Sequence, residues 1–293
     1  MRLHLAKQEG CSRLMPTYED IIVPPKKFVS IDWGELWQYR DLFLVFAWRD
    51  IAVRYKQTAL GVGWAIFQPL ITIIIISFIF GTLMHRTSGD DTPYPIFVCV
   101  GQILWLYFST ALNDASNSMV LNAQMIQKIY FPRLIVPATA VTTHLIDLAV
   151  ASLILIVMMI YYGYKPLPVG YLLIPVLILC SFTAALGIGL FLAAINVKYR
   201  DVRYALPFFI QIMMFLTPVI YPANILDQHP LVKTLMIWLN PMTGVITNAR
   251  AGIIRYGPFD WYSLGASLIA SFVYLLLGLY YFRSTERYFA DIV

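Results

Sequence analysis

The chain has 293 residues, of which 59% are hydrophobic and only 13% charged, and its mean hydropathy is +0.70. A soluble domain carries roughly twice that charged fraction, so the composition excludes a soluble globular protein and specifies an integral membrane protein. The formal net charge of +5 is modest and gives no reason to expect nucleic acid as a partner.

Residues 1–31 are polar, contain Pro16, Pro24 and Pro25, and read as an irregular cytoplasmic arm. The opening MRLHLAKQEG has no long apolar core, so no cleavable signal peptide is expected. Residues 32–63 read as an amphipathic interface helix and the turn that follows it. Trp33, Trp37, Leu44, Trp48, Ile51 and Tyr55 recur at helical steps, with Asp32 and Glu35 placed to cap the start. Tryptophans on one face with basic residues beside them fit a helix lying in the membrane plane, or one that packs on a partner. Arg49, Arg54 and Lys56 fall at lipid-phosphate depth, and Trp64 fits the headgroup level. Gly61 and Gly63 permit a sharp change of direction, and Pro69 falls in the first turns of the helix that follows.

Six apolar runs come next, at about 64–84, 95–112, 134–162, 171–195, 204–221 and 263–282, each near the ~20 residues a bilayer requires. An even number of spans puts both termini on one side. Arg49, Arg54, Lys56, Lys128, Arg133, Lys198, Arg200, Arg203, Arg283 and Arg287 then share that side. This excess makes it the cytoplasm, with 284–293 as a cytoplasmic tail. The fold class is therefore all-α, with six transmembrane helices in a domain over 64–283.

Two connections stand out. In 113–133, Met119, Met125, Ile126 and Ile129 make one face of a short helix stopped before Pro132, either a capped connector or a contact for a cytoplasmic partner. The outer stretch 222–262 is apolar but interrupted at Asn240-Pro241 and carries Lys233 and Arg250. It predicts two short re-entrant or interfacial helices hinged there, capping or lining a pathway.

The chain has no glycine-rich phosphate loop (G-x-x-x-x-G-K-S/T), no G-x-S-x-G nucleophile turn and no T-V-G-Y-G filter. Cys11, Cys99 and Cys180 are scattered, without metal-ligand spacing or a disulfide framework. His144 and Asp147 stand one turn apart in the third run and read as a structural pair, or as the acid–base pair of a membrane acyl- or glycosyltransferase or of a proton-coupled carrier. Asp114, at the inner end of the second run, reads as solvated. Gln68, Gln102, Tyr107 and Gln211 are polar groups among aromatics, chemically suited to a sugar path.

RDIAVRYKQTALGVGWAIFQPL (49–70), IQKIYFPRLIVP (126–137), NVKYRDVRYALPFFIQIMMFLTPVIYP (196–222) and LNPMTGVITNAR (239–250) resemble, in this order, the permeases of polysaccharide-export ABC transporters, a type 2 ABC exporter family. The likeness is strongest to O-antigen exporter subunits, with capsule and teichoic-acid exporters as near kin. It runs from about Trp33 to the C-terminus and leaves residues 1–31 without a family role. The resemblance implies a homodimer in the bacterial inner membrane, paired with two copies of a cytoplasmic ABC ATPase. That partner binds ATP and Mg, and this chain binds no cofactor. Arg54, Tyr55, Lys56, Leu60 and Gly61 would lie where a lipid-pyrophosphate-linked polysaccharide enters. Asn122, Gln124, Ile126, Lys128, Tyr130 and Phe131 would belong to the coupling helix that docks on the ATPase. Asn240, Pro241 and Arg250 would belong to the outer gate helices.

Overall fold

The computed structural model describes residues 33–56, 63–83, 92–199 and 201–286. The N-terminal arm, Asp32, Leu60, Gly61 and Arg287 lie outside the described residues, and with them the helix cap, the turn and most of the tail expected there. Every regular element among the described residues is helical. A short α1 (Trp33–Gln38) leads into α2 (Arg40–Lys56), and the ladder runs through Tyr39, whose N–H donates to Glu35 O and whose carbonyl accepts from Phe43. The α3 helix (Gly63–Ile76) continues as a π-helix over Ser77–Leu83.

The centre of the bundle is α4 (Tyr94–Leu121), whose residues are mostly buried. It packs against α3, α6 (Ile135–Tyr162), α7 (Pro168–Lys198) and α8 (Val202–Leu216), and against α10 (Pro241–Ile253) of the outer segment. Between α4 and α6 stands α5 (Ala123–Ile126). A 3₁₀ turn (Ala223–Gln228), α9 (Pro230–Leu239) and α10 separate α8 from the last helix, α11 (Trp261–Glu286). The α7 and α11 helices cross at Gly187 and Gly278, where a Cβ on Gly278 would stand 2.0 Å from the Gly187 carbonyl oxygen. Lipid gives apolar helices no solvent-driven reason to associate, so such backbone contact supplies the dispersion energy that holds them.

Among the described residues, five helices are long and apolar enough to cross a bilayer: Gly63–Leu83, Tyr94–Leu121, Ile135–Tyr162, Pro168–Lys198 and Trp261–Glu286. The run predicted at 204–221 forms only the 15 residues of α8, about 22 Å of helix. Pro218 ends it: the residue before a proline is pushed from helical to extended backbone, and Thr217 sits at φ −78°, ψ 141°.

The second run extends well past its predicted end at 112, since α4 continues to Leu121. Met119 is therefore a fully buried residue of α4, and the helix predicted across 119–129 shrinks to the four residues of α5. Expected face-mates separate as a result. Ile126 and Phe131 are buried in a cluster with Phe46, Met119, Leu190, Val197 and Phe282, whereas Ile129 and Tyr130 are exposed. Phe46 meets Phe131 edge-on at 5.5 Å and ties α2 to the bundle. The predicted stripe divides: Trp37 of α1 and Leu44 and Trp48 of α2 are exposed, whereas Tyr55 turns to α6, and Phe46 is the buried residue of α2.

Candidate functional site

Basic residues gather at the two ends of the bundle. At one end Arg49 donates to Asn122 Oδ1 at 3.1 Å and Arg133 to the Glu286 carbonyl at 2.5 Å. At the other, Arg255 donates to the Lys165 carbonyl at 3.1 Å.

Near the α2 end five charged or polar side chains from three helices converge. The Arg54 guanidinium on α2 donates to Asp114 Oδ2 of α4 at 3.1 Å and to Asp147 Oδ2 of α6. His144 faces the same two oxygens, with Nε2 at 2.8 Å from Asp114 and Nδ1 at 2.9 Å from Asp147. Guanidinium and imidazole thus bridge the same carboxylate pair, and the Arg54 Nη atoms lie 3.0 and 3.2 Å from the ring nitrogens. The Tyr55 hydroxyl donates to Asp147 Oδ1. Burial, reinforced by the bond to Asp147, pushes that phenol above its ordinary range and keeps it a donor.

The helices themselves dictate this convergence. Asp147 follows His144 by three residues, which puts both on one face of α6. Asp114 belongs to the part of α4 that continues beyond the predicted span. Asp114 is therefore not simply solvated, as its place at a span end suggested, but holds both His144 and Arg54. Arg54 is directed into the bundle, while Lys56 remains exposed.

The cluster opens on a cavity of about 520 Å³ lined also by Trp64, Gln68, Tyr107, Ser109, Thr110 and Asn113. Two of the four suggested path residues, Gln68 and Tyr107, therefore share the cavity with Arg54. Gln102 is buried, with its Oε1 unpartnered among the described residues, and Gln211 is exposed. The Tyr107 ring is 2% exposed and its hydroxyl has no hydrogen-bond partner among the described residues. A buried hydroxyl without a partner is costly. The cavity offers a cation, two carboxylates, hydroxyls and amides, a donor set suited to hydrogen-bonding an anionic or sugar-bearing headgroup. Within α6, three-residue spacing revealed the pairing of His144 with Asp147. No local signal could reveal Asp114, which lies 30 positions from His144.

Asn122, Gln124, Lys128 and Tyr130 line the rim of the α2 end. Gln124, Lys128 and Tyr130 are exposed there. Tyr130 reaches Glu35 Oε1 at 3.4 Å. The negative charge of Glu35 raises its phenol, with burial adding to the effect.

At the opposite end the hinge expected at Asn240-Pro241 separates α9 from α10. Asn240 caps α10 by accepting from Met242 N–H at 3.1 Å and donates to Thr217 Oγ1 at 2.5 Å. Arg250 is 2% exposed. It donates to the carbonyls of Phe97 (3.1 Å), Pro218 (2.6 Å) and Val219, with its guanidinium carbon 3.6 Å from the centre of the Phe97 ring. These contacts make Arg250 a structural clamp between α10, the start of α4 and the end of α8.

The sequence profile of ABC-2 type transporters matches residues 41–254. The chain is 28% identical over 257 residues to the O-antigen export system permease protein RfbA of Myxococcus xanthus, covering 88% of this chain and 97% of that protein. It is 26% identical over 253 residues to the protein of the same name from Klebsiella pneumoniae, covering 86% and 95%. It is also 24% identical over 244 residues to the polysialic acid transport protein KpsM of Escherichia coli, covering 82% and 91%. With five apolar helices among its described residues long enough to span a bilayer and a family match across most of its length, this multi-pass membrane protein belongs to the ABC-2 type transporter membrane family.

Proposed function

We propose that the chain is the transmembrane subunit of an ATP-driven exporter of lipid-linked polysaccharide, of O-antigen type, in the bacterial inner membrane with both termini cytoplasmic. The observation that carries this reading is the near end-to-end likeness to proteins named for O-antigen export. The polysialic acid relative supports a capsule exporter as the second reading.

In this reading the subunit works as a homodimer with two copies of a cytoplasmic ABC ATPase. ATP and Mg belong to that partner, as the lack of a phosphate loop in this sequence suggests. The exposed rim at Gln124, Lys128, Ile129 and Tyr130 is the proposed docking surface for the ATPase. The cavity beside Arg54 and Tyr55 is where the diphosphate headgroup enters, with Lys56 attracting anionic lipid from outside. Asn240, Pro241 and Arg250 hold the outer gate. Co-purification with a candidate ABC ATPase, followed by ATPase assays with lipid-linked glycans, tests the proposal. Stable assembly and stimulation by a diphosphate-linked glycan are expected. A chain that assembles with no ABC ATPase refutes it.

A further inference from the structure

A guanidinium at headgroup depth faces a selectivity problem. Phospholipid phosphodiesters carry one negative charge or, as zwitterions, none net, and they vastly outnumber any diphosphate-linked carrier. An uncommitted arginine would bind them continually, because phosphate oxygens match its fork. In this protein Arg54 is committed, to Asp114 Oδ2 at 3.1 Å and to Asp147 Oδ2.

We propose that Asp114 and Asp147 determine headgroup specificity by competing with the ligand for Arg54. This rests on the reading that a diphosphate-linked lipid enters beside Arg54. A monoanionic phosphodiester offers no more charge than either carboxylate and is repelled by both. A diphosphate brings at least two charges and oxygens on adjacent phosphorus atoms, enough to replace both carboxylates around the fork. The discrimination thus comes from the threshold the two carboxylates set, which only a ligand able to replace both of them at Arg54 passes.

The geometry makes the exchange feasible. When Arg54 moves to a ligand, Asp114 keeps His144 at 2.8 Å and Asn113 at 3.4 Å, and Asp147 keeps His144 at 2.9 Å and the Tyr55 hydroxyl. Neither carboxylate is stranded without a donor, which would otherwise cost the full desolvation penalty. As an imidazolium, His144 donates from both ring nitrogens and is then the positioning residue that holds both acceptors while Arg54 is away.

The test measures binding of radiolabelled geranylgeranyl diphosphate to the full chain in nanodiscs. The discs contain either phosphatidylcholine alone or equal parts of phosphatidylcholine and phosphatidylglycerol. Wild-type binding is expected to change little when phosphatidylglycerol is present. Asp114→Asn and Asp147→Asn keep the shape and remove the charge. They should bind the diphosphate about fivefold more tightly in neutral discs, the equivalent of losing one screened charge interaction, and lose that gain when phosphatidylglycerol competes. Unchanged affinity and unchanged insensitivity to phosphatidylglycerol, in variants with wild-type gel filtration and melting, overturn the proposal. Asp114, at 44% side-chain exposure against 22% for Asp147, decides the matter alone if Asp147→Asn does not fold. Arg54→Gln separates the layers. Diphosphate binding that Arg54→Gln abolishes, with Asp variants identical to wild type, sinks the specificity claim but leaves the access site standing. Wild-type binding that survives Arg54→Gln, or no wild-type binding at all, overturns both.

Discussion

Arg54 on α2 and Asp114 on α4 meet at 3.1 Å across 60 positions of sequence, and their contact joins the surface helix to the central span. Asp114 is nearly half exposed to the cavity, so solvent screening limits what the pair contributes. We expect a double-mutant cycle of Arg54→Gln and Asp114→Asn, read as thermal unfolding in detergent, to give a coupling of about 1 kcal/mol. Additive effects of the two changes would show that the contact does not hold α2 in place.

Arg250 has no such screening. Three backbone carbonyls accept from it, and a shorter or neutral side chain leaves them unsatisfied in the bundle. Arg250→Met should cost about 3 kcal/mol or more, with strong loss of folded protein, and Arg250→Lys should fall in between because it keeps the charge and loses the fork. Melting curves of both variants measure this. A wild-type melting temperature for Arg250→Met would refute the clamp.

The crossing of α7 and α11 depends on the missing side chains of Gly187 and Gly278. Gly278→Ala places a methyl against backbone that cannot yield and should destabilise by about 2 kcal/mol or more, in the range of overpacked cores. Gly265→Ala, on the same helix with open space around it, should be neutral within about 0.5 kcal/mol. Parallel expression and melting of the two variants separate local steric conflict from a general intolerance of α11.

Ile126 and Tyr130 were expected to act together in docking, but one is buried and the other exposed. Ile126→Glu puts a charge into the cluster with Phe46 and Phe131 and should lower the folded yield before any effect on a partner can be read. Tyr130→Glu should leave the melting temperature unchanged within a few degrees and weaken assembly with the ATPase about tenfold or more, as loss of an aromatic anchor does. Normal assembly by Tyr130→Glu would place the docking surface elsewhere.

The sequence by itself determined the membrane class, five of its six apolar runs as membrane-length helices, a helix before the first of them and the break at Asn240-Pro241. These follow from composition, run length, periodicity and proline chemistry, all of which act within a few residues. It also placed His144 and Asp147 on one helix face, because three-residue spacing is a local property. Only the tertiary structure decided that Asp114 joins them, that Arg54 points inward between two carboxylates, and that Arg250 closes on the carbonyls of Phe97, Pro218 and Val219. It also decided the end of α4, where an apolar count stops at the first polar residues but the helix continues. Ala115, Ser116 and Met119 are buried by packing on neighbouring helices. A polar or charged side chain takes its role from the groups that surround it in space, and those groups come from distant parts of the chain.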